Sequence, residues 1–150
     1  MQRCYSGTGS ATVGANLTIA TLVSAATVRP ALYQMVIGSA GTPADAAVLL
    51  GLRRITAAGT PGSSPTALPH DSVDAAAQAT VGSGDFGAEP TYASGVPMHI
   101  PMNQRNTVIW NAHPYREWLA PASAGNGFGL RSVSIVGTAV IYYGTLEWFE

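Results

Sequence analysis

The chain has 150 residues, of which 47% are hydrophobic and 10% charged, with a net charge of −1. That composition excludes a disordered polypeptide and is long enough for one domain with a real core. Every basic side chain is arginine, and seven arginines against eight acids provide no concentrated positive footprint, so no nucleic-acid partner is expected.

A surface this poor in charge suits a subunit that spends its life packed against others. The N-terminal MQRCYSGTGS has no apolar run of signal-peptide length. The most apolar stretch, residues 17–37, is broken by Arg29-Pro30 and rich in Thr and Ser. A membrane span needs ~20 mostly apolar residues, so no membrane partner is expected. Cys4 is the sole cysteine. It cannot form an intrachain disulfide, and it reads as a small apolar residue of the first strand.

In chain order, residues 2–6 form a first candidate strand, and Gly7, Gly9 and Gly14 a flexible connection. Residues 16–23 are rich in Thr, Ile, Leu and Val and read as a strand. In residues 29–37, Ala31, Tyr33, Met35 and Ile37 fall on one face by the period of two. Gly38–Gly41 is a turn. Thr42, Pro43 and Asp45 then carry a helix-start signal: a cap, a first-position proline and an acid three residues on. This predicts one helical turn over residues 43–46, followed by a strand over 47–56. Residues 57–64 are a loop, 66–68 a short strand, 74–80 one or two helical turns, and 82–87 a flexible loop. Pro97 and Pro101 confine any strand over 93–102 to an edge or break it.

The last third carries the strongest β signal. Candidate strands lie at 104–112, 116–120 and 129–136, separated by two polar loops, and together read as a β-meander. Val108 and Trp110 share one face, which predicts a buried Trp110. Residues 139–149, AVIYYGTLEWF, place large apolar groups on both faces, as in a strand sandwiched between a core and a second surface. In a small β protein that surface is often a neighbouring subunit. Short strands with Gly/Pro punctuation and little helix predict an all-β fold, an antiparallel β-sandwich of the jelly-roll type with at most one or two short helical turns. Residues 1–28 form an N-terminal strand or arm, and 29–150 the sandwich domain, the whole reading as a single domain.

No chemistry-bearing constellation stands out. Gly82-Ser-Gly84-Asp-Phe-Gly87 matches a dinucleotide-binding motif by letter, but Ala88-Glu89-Pro90 follows where a helix must start. His70 with Asp71 and Asp74 is the least poor metal-like grouping, and a plain loop accounts for it. No nucleophile elbow or acid/base pair is visible. No enzyme, catalytic residue, metal or cofactor is therefore expected.

One surface-like cluster remains. His113-Pro114-Tyr115-Arg116-Glu117-Trp118 sets an imidazole, a phenol, a guanidinium, a carboxylate and an indole within six residues. Tyr, Trp and Arg are the types enriched at protein interfaces. His113, Tyr115, Arg116 and Trp118, with Tyr142 and Trp148 of the final strand, are the candidate subunit or partner contacts. Tyr115 is expected at a surface.

Four phrases carry a resemblance: Gly38-Ser-Ala-Gly-Thr-Pro-Ala-Asp45; Thr56-Ala-Ala-Gly-Thr60 with Pro65-Thr-Ala-Leu68; Glu89-Pro-Thr-Tyr92 followed by Asn103-Gln-Arg105; and Ala120-Pro-Ala-Ser-Ala-Gly-Asn-Gly-Phe-Gly-Leu130. Over residues 29–150 the chain resembles capsid decoration (cement) proteins of tailed bacteriophages. That resemblance implies a jelly-roll-like homotrimer on the outside of an icosahedral head, assembled in the host cytoplasm. It would bridge neighbouring subunits of the major capsid protein against internal DNA pressure. Two alternatives stay open. One is another virion component: a tail, baseplate or head-fibre subunit. The other is a carbohydrate-binding module using Trp110, Trp118 or Tyr115 as a stacking platform.

Overall fold

The computed structural model describes residues 2–135 and 138–150. Twelve strands follow in chain order: β1 (Cys4–Val13), β2 (Thr18–Val23), β3 (Ala31–Ala40), β4 (Ala47–Ala57), β5 (Leu68–Pro69), β6 (Thr80–Ser83), β7 (Thr91–Tyr92), β8 (Met98–Asn103), β9 (Val108–Asn111), β10 (Trp118–Leu119), β11 (Gly127–Ile135) and β12 (Val140–Phe149). All pairings are antiparallel, and they form two sheets. In the first, β12 lies between β1 and β3; β5 extends the β1 side, and β9 and β10 share the free side of β3. In the second, β11 lies between β2 and β4; β6 extends the β2 side, and β7 and β8 share the free side of β4.

The connectivity is that of a long hairpin rolled into a sandwich. The chain doubles back at β4–β8. Outward from there, β3 pairs with β9, β2 with β11, and β1 with β12. Successive pairs alternate between sheets, which is the winding of a jelly roll.

This order replaces the expected meander over residues 104–136. The candidate strands there do not pair with one another. β9 and β10 both join β3 in the first sheet, and β11 crosses to the second. A meander and a rolled hairpin need the same local strand signals, and only long-range pairing distinguishes them. Val136, the last residue of the predicted strand, lies outside the described residues.

Inward-facing side chains follow strict alternation on β12: Val140, Tyr142, Gly144, Leu146 and Trp148 are buried, while Ile141 and Tyr143 are exposed. They meet Leu50 and Leu52 of β4 and Phe128 and Leu130 of β11 in one core. Burying each such Leu contributes ~1.5–3 kcal/mol. On β3 the alternation breaks. A bulge sets Glu147 opposite Gln34 and Trp148 opposite Leu32. Leu32, Met35 and Ile37 therefore face inward, and Tyr33, expected on one face with Met35, turns outward to stack on Phe149 at 4.3 Å between centroids.

Among the described residues there is no helix. The turn predicted over residues 43–46 is instead pinned in an extended path by residues 103–105. Ala44 N donates to the buried Gln104 Oε1 (3.0 Å), Arg105 Nε to Pro43 O (3.3 Å), and Asn103 Nδ2 to Asp45 Oδ1 (2.5 Å). Asp45, read as a capping acid, spends its carboxylate on Asn103. Residues 74–80 are likewise not helical. Glu150 Oε2 accepts Gln78 N (3.0 Å) and Glu150 Oε1 accepts Ala79 N (2.8 Å), so these amides are taken by a long-range partner.

Two other expectations change. Gly7 and Gly9 lie inside β1 rather than in a flexible link; residues 1–28, expected as a strand or arm, supply β1 and β2, each paired on both sides. Gly82 lies inside β6 rather than in a flexible loop. The prolines did restrict residues 93–102: Met98–Asn103 is an edge strand.

The glycines of the β1–β12 ladder let the two sheets close. A Cβ on Gly9 would sit 2.6 Å from the Ala20 Cβ, and one on Gly144 would sit 2.8 Å from a Leu130 methyl. Gly9→Val is therefore expected to wedge the sheets apart and cost about 2–3 kcal/mol. A lowered urea midpoint with an unchanged slope would show it; an unchanged midpoint would refute the close-approach account.

Candidate interaction surface

The two outer faces of the sandwich differ. The chain covers the outer face of the second sheet with its own loops. Tyr92 lies across Gly129, where a Cβ would meet the phenol oxygen at 2.5 Å. The guanidinium carbons of Arg53 and Arg131 each stand 5.2 Å from the Tyr92 ring centre, a cation–π arrangement. The Tyr92 hydroxyl is 2.6 Å from Thr18 Oγ1, and Thr18 N donates to Glu89 Oε1 at 3.2 Å. Thr18 Oγ1 also donates to Glu89 Oε2. Further along, Val96 lies over Gly51 and Phe86 over Gly82. The Glu89-Pro-Thr-Tyr92 phrase is thus a strap. Gly82 serves strand packing, and its amide donates to Thr21 Oγ1 at 3.1 Å.

The outer face of the first sheet carries no such cover among the described residues. One row across it runs Ile109–Val36–Thr145–Thr8, closed by a 2.8 Å contact between the Thr8 and Thr145 hydroxyls. The next holds Gly38, Tyr143 and Ser10, and the third Ala40, Ile141 and Thr12. Ile109, Ile141 and Tyr143 are 60%, 39% and 44% exposed. Glu147 is the single charged side chain pointing outward from β1, β3, β9 and β12. It accepts a 2.8 Å hydrogen bond from Tyr33 Oη and lies 4.0 Å from His70 Nε2.

The 113–118 loop stands at the end of this sheet, joining β9 to β10. Arg116 N donates to His113 O at 2.8 Å, closing a turn with Pro114 second and Tyr115 third. Tyr115 has φ +64° and is 96% exposed. This is the type II pattern, whose third position favours glycine. A left-handed conformation costs a side-chain-bearing residue about 1–2 kcal/mol. A strained, fully exposed aromatic ring is a sign of a contact residue. His113 and Arg116 are exposed beside it.

The other proposed contacts lie elsewhere. Trp118 turns back onto Phe128, edge to face at 6.2 Å, and is half-buried. Tyr142 and Trp148 are fully buried and offer no outward surface. They sit on the inward phase of β12, with Trp148 Nε1 donating to Glu150 Oε1 at 3.0 Å. Their outward neighbours Ile141 and Tyr143 are the ones on the surface. Alternation in AVIYYGTLEWF carried the signal for this, but not which phase faces in. Trp110, expected buried, is half-buried on the inward side of β9, and Tyr115 is at the surface as expected.

Acid–base groups are tied into structure. Burial pushes the Cys4 thiol up, which disfavours a thiolate nucleophile. Burial first, then the hydrogen bond to the Glu147 carboxylate, raises the Tyr33 phenol. Asp74 pairs with Arg3 at 3.3 Å, Asp71 Oδ1 accepts Val73 N at 3.1 Å, and His70 faces Glu147, so the His70–Asp71–Asp74 grouping does not converge. Among the described residues no three His, Cys, Asp or Glu side chains gather as a metal site would require.

Burial chiefly pushes the Tyr92 phenol from 10.0 up to about 12. Its contribution to stability is then whole below pH 10 and is lost as pH climbs toward 12. Phenolate absorbance should show a late step that Tyr92→Phe removes; a variant with the same titration would refute the buried strap. For the loop, Tyr115→Gly is expected to leave stability unchanged or raise it by up to about 1 kcal/mol, and a clear loss in the urea midpoint would contradict the strain reading. Comparison with protein-family models, with curated proteins and with solved structures yields no match to this chain.

Proposed function

We propose that the chain is a structural virion subunit: a capsid decoration protein that binds the outside of a tailed-phage head and joins neighbouring major capsid subunits. The observation that carries the reading is the strained and fully exposed Tyr115, with His113 and Arg116 exposed beside it, at the end of an almost uncharged sheet. Surfaces of this kind serve contact with other proteins. The jelly-roll winding and the resemblance of the four phrases to decoration proteins support it. The activity is binding itself. A subunit that holds only the closed capsid lattice raises the cost of opening it, by mass action. Tyr115, Arg116 and His113 supply an aromatic and cationic anchor at the loop. No reaction step is assigned to any residue.

The carbohydrate-binding alternative keeps less support. Trp110 and Trp118 both turn inward, leaving Tyr115 as the single exposed ring of the three candidates. The alternative of a tail, baseplate or head-fibre subunit uses the same surface and differs in location.

Co-sedimentation with purified tailed-phage heads that lack decoration, and separately with tails, tests the reading. The wild-type chain is expected to bind heads saturably. Tyr115→Ala combined with Arg116→Ala should weaken binding at least about tenfold, or ~1.4 kcal/mol. Binding to tails alone would replace this reading with the tail alternative, and glycan retention without binding to either particle would replace it with the carbohydrate module.

A further inference from the structure

We infer that the outer face of the first sheet is a self-association surface, which two copies of this chain bury against each other about a two-fold axis. The inference goes beyond the decoration reading and does not rest on it. It also differs from the three-fold assembly that the resemblance implies.

Three observations support a second copy as the occupant. First, the face is bare where its counterpart is covered. The second sheet is strapped by Tyr92, Val96 and Phe86, while Ile109, Ile141 and Tyr143 stay exposed on the first. Second, the size is adequate. The ten-residue β1, β3 and β12 with the four-residue β9, ~4.8 Å apart and rising ~3.4 Å per residue, make a platform of roughly 550 Å² in projection. A standard interface buries ~800 Å² per partner, and chance contacts mostly less than ~400 Å². Side-chain relief and the exposed rim residues Leu68 and Leu119 bring the platform into that range.

Third, the charge pattern is self-compatible. A two-fold axis sets the same patch against itself, so a patch of one sign repels its copy. The rows holding Ile109, Tyr143 and Ile141 carry no charge at all. Glu147, the exception on this face, has its carboxylate bonded to Tyr33 and beside His70. One end of the platform is concave: Thr12, Ala40, Thr42, Ala139 and Ile141 line a hollow of about 300 Å³ able to receive opposing side chains. Two twisted sheets meeting face to face are a standard packing, ≈ 10 Å apart.

The test is the mass of the full chain in solution at micromolar concentration, by light scattering or sedimentation equilibrium. A particle of twice the monomer mass is expected. Ile141→Glu combined with Tyr143→Glu places four carboxylates in the joint and should raise the dimer dissociation constant at least about tenfold. Ile109→Glu, on a different strand and at a more exposed position, gives an independent reading should the double variant fold poorly; circular dichroism and melting identify that case. A wild-type monomer, a trimer, or a dimer indifferent to the folded variants would overturn the inference. A monomer that binds heads through this face, and loses them on Ile141→Glu/Tyr143→Glu, would give the face to the capsid, overturning self-association and leaving the decoration reading standing. A dimer sensitive to these substitutions that ignores heads and tails would do the reverse.

Discussion

The pairing of the first strand with the last closes this fold. Ten consecutive pairs run from Cys4 opposite Phe149 to Val13 opposite Val140. They set Tyr5 beside Trp148, with centroids 6.0 Å apart, and Gly9 beside Gly144. The two glycines leave a depression on the inner side of the first sheet. Ala20 and Leu130 of the opposite sheet fill it at distances no added Cβ would allow. The sandwich spacing depends on that depression, and so does the burial of Tyr142 and Leu146 on either side. Small residues here are the condition for dense packing, and the low side-chain volume of β1 has its explanation.

The same ladder fixes which side of β12 faces outward, and this links fold to function. Because Tyr142 and Trp148 are committed to the core, Ile141 and Tyr143 are committed to the surface. A one-residue slip would exchange the two sets. The second sheet resolves its outer face differently, folding a loop over it and clamping Tyr92 between two arginines. The molecule thus has one finished face and one unfinished face. That asymmetry is the physical basis for reading it as a component of an assembly.

Two of the four phrases singled out in the sequence hold one another in place. Asn103, Gln104 and Arg105 staple the 43–45 segment through three hydrogen bonds. Glu89 and Tyr92 reach Thr18. Two of the four phrases therefore supply the joints between loop and sandwich. A capping signal at Thr42–Asp45 was a sound local reading that a buried glutamine overrode: its side chain accepts the Ala44 amide that the Thr42 hydroxyl would have accepted as a helix cap.

Composition and punctuation alone determined the β class, the edge position of residues 98–103, the shared face of Val108 and Trp110, and the exposure of Tyr115. Each follows from local chemistry: proline cannot donate to a ladder, alternation has a period of two, and a proline-led polar turn stays at the surface. The tertiary structure decided the rest. The strands that β9, β10 and β11 pair with lie far away in the chain, as Ile37 does from Val108 and Thr18 from Arg131, so the sequence could not distinguish a meander from a rolled hairpin. The bulge opposite Glu147 and Trp148 moved Tyr33 outward. The inward phase of β12 follows from what lies across the core, a property of the opposite sheet that the strand's own sequence does not contain.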